Sequence, residues 1–432
     1  RESCFNGFES FVASCPTQVE SHLHKIIQSA LAYISYDPNY SYGDGDEDND
    51  GDEDEEDDDE YADDDEDDEY DDDDDESWKV RRSATRALSA VVDSKNLNPS
   101  MLWNKVFVVR QGKSSTVASA LVARFKEREE NCRVDVIDCF TKLLSVTVSA
   151  ASNGAVSFAS ETDMNTTDGV VIDFRKKYAN ALVNACKKLF SVKKGGDRSK
   201  SSALSLLSTL CLAPGGVGGK AEIESVFLHV KAFLSMGKPD GSGLSREASV
   251  NKALKLDALC LVRIMLSCNK HNPLHIKDGL KKQLLEDLCL AVKEQWYKVI
   301  AEALRVLTEV PPFFVNGSRV AEQSDVADRL YEAIEPLIAA SDVDQEIKEC
   351  ALLASASLLT SLHIKLTDKK LQRLLSLLLE KLRNETTRIA AIKTLQAVGS
   401  ASSQDSTKDG KINMKPILGE AISVMSSFLK QQ

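Results

Sequence analysis

The sequence lacks any run of 18 uncharged apolar residues, so we expect no transmembrane helix. Its first residues, Arg1 to Phe5, include neither an initiator methionine nor a basic stretch leading into an apolar signal core. We therefore expect the chain to be a piece of a longer protein that carries no secretion signal.

The ten cysteines include no Cys-x-x-Cys pair and no cluster with the spacing of a zinc site. Most of them occupy apolar helical positions, where a reduced thiol serves as a small hydrophobic side chain. Such usage is typical of proteins of the cytoplasm and nucleus, and we expect this location. The composition predicts neither a metal nor a cofactor.

Strand-like alternation of apolar and polar residues is scarce, whereas helical periodicity runs through almost the whole chain. Hydrophobic residues make up 42% of the 432 positions, which is enough to build a large core. The sequence therefore predicts an all-α protein.

One pattern recurs in seven helical segments: a mostly basic leading residue is followed by apolar or small residues three, seven and ten positions later. These offsets lie on one face of a helix. The leading residues are Arg81, Arg133, Lys200, Lys255, Tyr297, Lys348 and Arg388. Each segment follows another amphipathic stretch, and helix pairs of about 40 to 47 residues are typical of HEAT and armadillo arrays. We predict a single α-solenoid of about eight HEAT-type pairs over residues 1–432.

The row of basic leading residues has two interpretations. It could form a ridge that holds an acidic partner surface. Alternatively, each residue could pair with acidic groups of neighbouring repeats, which is common along solenoid surfaces.

A strongly acidic run interrupts the first repeat. Residues 44–76 contain 27 acidic residues in 33 positions and no lysine or arginine. The rest of the chain has 41 acidic and 53 basic residues, although the net charge of the whole is −15. Such a segment cannot bury enough apolar surface to offset its ordering entropy. We predict a disordered acidic loop over 41–76 inside the first complete repeat, and a second flexible loop over 149–170.

Motifs that could carry chemistry match poorly. The acidic run resembles a calcium loop by composition, but Glu53 stands where an apolar residue belongs and Asp57 replaces the bidentate glutamate. The glycine-rich stretch before Lys220 has Pro214 where a phosphate loop needs its first glycine.

Histidines and nucleophiles are equally uninformative about catalysis. The pairs His22/His24 and His271/His275 lack an evident third metal ligand. No serine, cysteine or histidine lies in a recognisable nucleophile motif. The chain is predicted not to be an enzyme.

Longer motifs occur in a fixed order from the acidic run to the end of the chain: Tyr36-Asp-Pro-Asn-Tyr40, Ser77-Trp-Lys-Val-Arg-Arg82, Arg124-Phe-Lys-Glu-Arg-Glu-Glu-Asn131, Trp296-Tyr-Lys298, Glu302-Ala-Leu304, Arg383-Asn-Glu-Thr-Thr-Arg388 and Leu418-Gly-Glu420. In order and spacing they closely resemble the central HEAT-repeat portion of the cullin-associated, neddylation-dissociated (CAND) family.

That resemblance implies a non-catalytic regulator of cullin–RING ubiquitin ligases. Such a protein binds scaffolds that lack the conjugated ubiquitin-like modifier and promotes substrate-receptor exchange during SCF complex assembly. Exchange would follow from differential binding, because contacts to the scaffold weaken those of the receptor module. The expected partners are the cullin and RING subunits, bound by a monomer that contacts neither nucleic acid nor membrane.

Two charged segments are the predicted partner contacts. Their residues are Arg124, Lys126, Arg128, Glu129, Asn131, Arg383, Asn384, Glu385 and Arg388.

Two other functions stay open at this point. HEAT-type nuclear transport receptors also carry acidic loops within repeats and use them to engage basic cargo. A histone-type chaperone would instead hold a basic partner with the acidic run itself.

Overall fold

The computed structural model describes residues 1–36, 76–94, 97–109, 114–153, 157–158, 171–172, 178–192, 196–213, 220–235, 246–268, 277–315, 320–404 and 412–429. The chain divides into two compact units, Arg1–Ala150 and Ala151–Gln432. Except for Glu76, the predicted acidic loop lies outside the described residues, as does most of the predicted 149–170 loop.

The first unit consists of helices and one small strand pair. Its elements are α1 (Glu2–Ser14), α2 (Pro16–Val19), α3 (Leu23–Tyr33), α4 (Ser77–Asp93), α5 (Pro99–Asn104), β1 (Phe107–Val108), β2 (Ser114–Ser115), α6 (Val117–Ala123) and α7 (Glu130–Ser152), whose last two residues pass the unit boundary. Strands β1 and β2 pair antiparallel.

The second unit is a stack of helix pairs. Its elements are β3 (Ser157–Phe158), β4 (Val171–Ile172), α8 (Asn180–Ser191), α9 (Asp197–Leu212), α10 (Lys220–Leu234), α11 (Arg246–Cys268), α12 (Asp278–Ala291), α13 (Tyr297–Val315), α14 (Val320–Ala339), α15 (Gln345–Leu362), α16 (Asp368–Arg383), α17 (Arg388–Gln404) and α18 (Lys415–Leu429). Strands β3 and β4 pair parallel.

Two layers of helices form the second unit. The first helices of the pairs, α8, α10, α12, α14, α16 and α18, contact one another in order. The second helices, α9, α11, α13, α15 and α17, form the other layer in the same order. This is an α-solenoid of HEAT-type pairs, as the sequence predicted.

The predicted apolar stripe is the core of both units. In the seven second helices, which include α4 and α7 of the first unit, every residue at offsets three, seven and ten is buried. The most exposed of these residues, Ile300 and Leu395, expose only 9% of their surface. The repeat frame is therefore confirmed, because one stripe per helix is what neighbouring pairs bury against each other.

The start of the predicted 149–170 loop is helical. Residues 149 to 152 form the last turn of α7, and β3 lies further along the same stretch. The Ser149 hydroxyl donates to the Ser145 carbonyl at 3.0 Å within the helix. A serine that bonds back in this way is accommodated in a helix, so its loop preference was a poor guide here.

Helix α13 contains two prolines near its end, Pro311 and Pro312. Proline has no N–H, so Pro312 cannot donate to the carbonyl of Thr308. That carbonyl instead accepts a hydrogen bond of 2.6 Å from the hydroxyl of Ser357 on α15. A contact between repeats thus satisfies a backbone group that the helix itself leaves open.

Helix α15, with the turn that follows it, is apolar enough to meet a membrane-span criterion. Among the described residues, only Gln345–Lys365 passes by length and composition, with a mean hydropathy of 1.2. More than half of this stretch, 56%, is buried, and α15 packs between α13 and α17. A core helix of a solenoid has the same composition, because it is covered on most sides.

Candidate partner-binding surface

Most of the basic leading residues are engaged in contacts within their own unit. Arg81, Lys200 and Lys255 expose only 8%, 6% and 5% of their surface. Lys255 Nζ lies 2.7 Å from Glu294 Oε1 in the turn between α12 and α13, and Lys348 Nζ donates to the Ser341 carbonyl at 2.7 Å. These contacts favour pairing inside the array over a free basic ridge.

Arg81 contacts one residue on each side of the acidic run. Its Nη1 donates to the Tyr36 carbonyl at 3.1 Å and to the Ser77 hydroxyl at 2.7 Å. Its Nε and Nη2 donate to the two carboxylate oxygens of Glu127 at 3.1 and 3.2 Å. One buried guanidinium therefore fastens α4, the residues that flank the insertion and the segment before α7.

Glu127 is the centre of the first predicted contact segment. It is 5% exposed and also accepts a hydrogen bond from Arg124, while its backbone carbonyl accepts one from Arg133 at 2.8 Å. Burial raises the pKa of this carboxyl, but the charges and hydrogen bonds of Arg124 and Arg81 outweigh burial, and the net pKa is lowered.

The predicted contact residues of this segment differ in exposure. Asn131 Nδ2 donates to Glu129 Oε1 at 2.9 Å, and both residues are half-buried, as is Arg124. Only Lys126 and Arg128 have exposed side chains. The exposed charges of the segment are therefore basic, and the carboxylate of Glu127 is used in ion pairs within the fold.

The second predicted segment is the turn between α16 and α17. Arg383 and Glu385 are exposed, and Arg383 pairs with Glu420 of α18. Asn384 Oδ1 accepts hydrogen bonds from the Thr386 N–H and hydroxyl at 3.0 and 2.9 Å. The Arg388 guanidinium lies over the Phe428 ring, 3.6 Å from its centroid. Arg383 and Arg388 of this segment therefore contact the last helix, α18. It belongs to the second unit, whereas Arg124 to Asn131 belong to the first.

A chain of charges across three second helices is a feature that sequence reasoning missed. Glu302 on α13 is 4% exposed; its Oε1 accepts from Arg263 Nε of α11 at 2.5 Å and its Oε2 from Arg305 Nη1 at 3.0 Å. Arg305 also pairs with Glu346 of α15. Burial alone raises the pKa of Glu302, but the two arginines bring it below its ordinary value. The sequence does carry one sign of this chain of charges, because Glu302 is an acidic residue within the apolar run before Leu304.

A pocket between two first helices is a second feature that sequence reasoning missed. It lies between α12 and α14, has a volume of about 260 Å³, and has Leu285, Phe314 and Val326 at its base. Charged side chains of both helices form its rim. Three helices contribute to it, so no local pattern marks it in the sequence.

The remaining sequence candidates are the cysteines, the histidine pairs and the two loop-like motifs. Among the described residues, no group of three or more His, Cys, Asp or Glu side chains could hold a metal ion. All ten cysteines are free thiols, and burial raises the pKa values of Cys139 and Cys186 to about 12. His24 is exposed and lies against the Phe107 ring. The calcium-loop-like run, Pro214, and His271 with His275 lie outside the described residues.

Comparisons with known proteins agree on one family. A family model described as "CAND1-like, TPR repeats" matches residues 232–355. Cullin-associated NEDD8-dissociated protein 2 of Mus musculus is 30% identical over 434 residues, and protein 1 of Dictyostelium discoideum is 31% identical over 441. Each alignment covers 100% of this chain. Over its whole length, the chain is similar to proteins of the CAND family. It spans 31% of the length of each of these two relatives.

Solved structures with a similar backbone are distant in sequence. A chain from a structure of Kap95p with RanGDP superposes with a TM-score of 0.49 and 14% identity, covering 99% of this chain and 47% of that one. A designed armadillo repeat protein gives a TM-score of 0.39 and 14% identity, covering 66% of this chain and 99% of its own.

Proposed function

We propose that this chain is part of a non-catalytic regulator that binds cullin–RING ubiquitin ligase scaffolds. The observation that carries the proposal is the alignment of the entire chain with proteins named for cullin association and NEDD8 dissociation, in organisms as different as mouse and Dictyostelium. A solenoid suits this role, because stacked helix pairs present an extended binding surface instead of an enclosed active site.

In the proposed mechanism, the protein acts as a monomer that binds the cullin and RING subunits when the ubiquitin-like modifier is absent. Its contacts to the scaffold exclude some contacts of the substrate-receptor module, so each partner lowers the affinity for the other. The receptor then dissociates faster, and a different receptor can bind. No covalent step is involved, and the work takes place in the cytoplasm and nucleus.

The exposed basic side chains Lys126 and Arg128 are the proposed scaffold contacts in the first unit. Arg383, which forms an ion pair with Glu420, is the proposed contact in the second unit. Basic residues at the edge of an interface mainly raise the association rate, and salt screens their effect.

The test is a pull-down of the full-length protein with cullin–RING complexes that carry or lack the conjugated modifier. We expect retention of the unmodified complex only, with faster receptor dissociation when the protein is present. Equal binding to both complexes, or binding to neither, contradicts the proposal. Binding to a GTP-loaded transport GTPase instead would indicate a nuclear transport receptor.

A double variant, Lys126→Glu with Arg128→Glu, tests the contact residues. It should lower the association rate with the unmodified scaffold about tenfold at low salt, because two attractive charges become repulsive. The matched control is Lys25→Glu with Lys369→Glu, which reverses two exposed lysines elsewhere. If both double variants slow association equally, the effect comes from net charge and not from this segment.

A further inference from the structure

The turn between α14 and α15 presents an open serine hydroxyl. Ser341 is exposed, and the residues from 340 to 344 belong to no helix. Its backbone carbonyl is bonded to Lys348, but among the described residues its hydroxyl has no hydrogen-bond partner. A modifying enzyme can therefore reach this hydroxyl without breaking a contact that the side chain makes in the fold.

The residues that follow Ser341 carry a charge pattern of the kind that kinases read. Asp342 and Asp344 stand at the first and third following positions, and both are exposed. Among the serines and threonines that the structure describes, no other has acids at both positions. Charge patterns of this kind select substrates for kinases, and acids after the acceptor suit a kinase with a basic substrate groove.

Thr17 shows what the position of Ser341 adds to the pattern. Thr17 is also exposed and has Glu20 three positions later, but it lies within the helix α2. A kinase has to place the acceptor oxygen in line with the phosphorus that it attacks. An acceptor in a turn can be placed in this way without unwinding a helix, so Ser341 is the better substrate of the two.

Lys348 places a cation beside the acceptor. This residue of α15 is half-buried, and its Nζ donates to the Ser341 carbonyl at 2.7 Å. A phosphate on the Ser341 hydroxyl would lie close to this ammonium group, which has further protons to donate. Asp342 and Asp344 repel the phosphate, but they are exposed, so solvent and salt screen that repulsion more than the attraction of the half-buried lysine.

The same turn is joined to the next one along the second unit. Gln345 Nε2 donates to the Thr386 carbonyl at 2.6 Å, and Thr386 lies in the turn between α16 and α17. That turn holds the second predicted contact segment, Arg383 to Arg388. A phosphate on Ser341 therefore adds negative charge next to this segment.

We propose that Ser341 is a phosphorylation site for an acidophilic serine/threonine kinase and that Lys348 binds the phosphate. In this reaction, Ser341 Oγ attacks the γ-phosphorus of ATP, and a new oxygen–phosphorus bond forms as the bond to the oxygen of the leaving ADP breaks. The hydroxyl proton goes to the catalytic aspartate of the kinase. The assignment goes beyond the proposed function, because it concerns a covalent modification and does not depend on the partner.

Phosphorylation of the complete chain by casein kinase II, which prefers acceptors followed by acids, tests the acceptor. Mass spectrometry has to locate each phosphate, because Ser41 and Ser160, outside the described residues, also have an acid three positions later. We expect phosphate at Ser341 and a lower occupancy at Thr17. A chain without phosphate at Ser341 overturns the proposal, whether or not other serines are modified.

Two charge-removing variants test the acidic pattern. Asp342→Asn and Asp344→Asn should each lower kcat/KM for phosphorylation of Ser341 about three- to tenfold, because each removes an attraction to the kinase. Asp344 is the N-cap of α15 and accepts from the Glu346 N–H at 2.8 Å, a role that asparagine fills equally well. The control is Glu332→Gln, an exposed acid on α14 that should leave the rate unchanged. Rates equal to that of the control in both aspartate variants contradict recognition by an acidophilic kinase.

Phosphorus NMR of the phosphorylated chain tests the role of Lys348. A nearby cation lowers the second pKa of phosphoserine, because it favours the dianion. Lys348→Gln should therefore raise this pKa by about half a pH unit, whereas Lys369→Gln, which changes an exposed lysine on α16, should not. If the two variants titrate alike, Lys348 does not bind the phosphate. None of these measurements involves a cullin, so their failure leaves the cullin–RING proposal to its own test.

Discussion

At the scale of single residues, the buried charges of this chain are structural. Glu127 is 5% exposed and Glu302 is 4% exposed, and each is surrounded by two arginines. A buried carboxylate is tolerated only when such partners replace the lost water. Removing one partner leaves a charge in an apolar environment, so the arginines matter more for stability than exposed arginines do.

We predict that Arg81→Met destabilises the first unit by about 3 kcal/mol, because it breaks a buried pair and leaves the Glu127 carboxylate with Arg124 as its paired arginine. Urea denaturation measures the change. The control is Arg86→Met on the same helix, whose pair with Glu9 is half-exposed and should contribute under about 1 kcal/mol. Similar losses for the two variants would show that the Arg81 network is not a special source of stability.

Glu302 should make stability depend on pH. Its folded pKa is below the ordinary value of 4.5, so the unfolded chain binds protons first as pH falls. Its stabilising contribution is fully present above about pH 4.5 and is lost as the pH falls through the lower folded value. The unfolding free energy of the wild type should therefore drop more steeply below pH 4.5 than that of Glu302→Gln.

The matched control for this pH effect is Glu332→Gln, which changes an exposed acid on α14. Its pH profile should be parallel to that of the wild type. If Glu302→Gln also follows the wild type below pH 4.5, the two arginines do not stabilise the ionised carboxyl.

At the scale of helices, repeats are joined by hydrogen bonds as well as by apolar packing. Besides the Ser357–Thr308 contact, the Thr394 hydroxyl on α17 donates to the Leu352 carbonyl of α15 at 3.1 Å. Both bonds cross from one second helix to its neighbour. They fix the alignment of the helices along their axes, which a smooth apolar stripe specifies less well.

We predict that Ser357→Ala costs about 1 to 2 kcal/mol, because the Thr308 carbonyl opposite Pro312 loses its donor. Chemical denaturation of the chain measures this loss. Ser376→Ala on α16 serves as control, since this exposed hydroxyl only bonds back to the Gln372 carbonyl of its own helix. A Ser357→Ala variant as stable as the control would mean that Thr308 finds another donor.

At the scale of the whole chain, the residues that flank the acidic run meet at one side chain. Tyr36 and Ser77 both bond to Arg81, so these two residues lie close together in the first unit. Replacing residues 41–74 with a short Gly-Ser linker should leave the unfolding free energy unchanged or raise it by about 1 kcal/mol, because a shorter loop costs less entropy to close.

Thermal and urea denaturation measure the effect of this deletion. Arg81→Met should remain destabilising in the shortened chain, since the Glu127 pairing does not depend on the insertion. A loss of more than about 2 kcal/mol on deletion would instead assign the acidic run a structural role.

The prediction of the fold from sequence was strong where the information is local. The leading-residue frame placed Ala84, Leu88 and Val91 on a buried stripe, and the same offsets were right in all seven second helices. It was weaker at helix ends: Ser149 continues α7 because its hydroxyl bonds within the helix. The candidate contacts were only partly accessible, since Arg124 and Asn131 have internal partners that lie nearby in the sequence but become evident only in the folded turn.

The sequence by itself determined the helical class, the face that each helix buries and the likeness to the CAND family, because periodicity and motif order are properties of neighbouring residues. Only the tertiary structure decided which charged side chains are paired within the fold and which are exposed. Arg81 meets Glu127 across 46 positions, Arg263 meets Glu302 across 39, and the pocket base joins three helices. Such pairings depend on how repeats stack, and the helical period carries no information about that alignment.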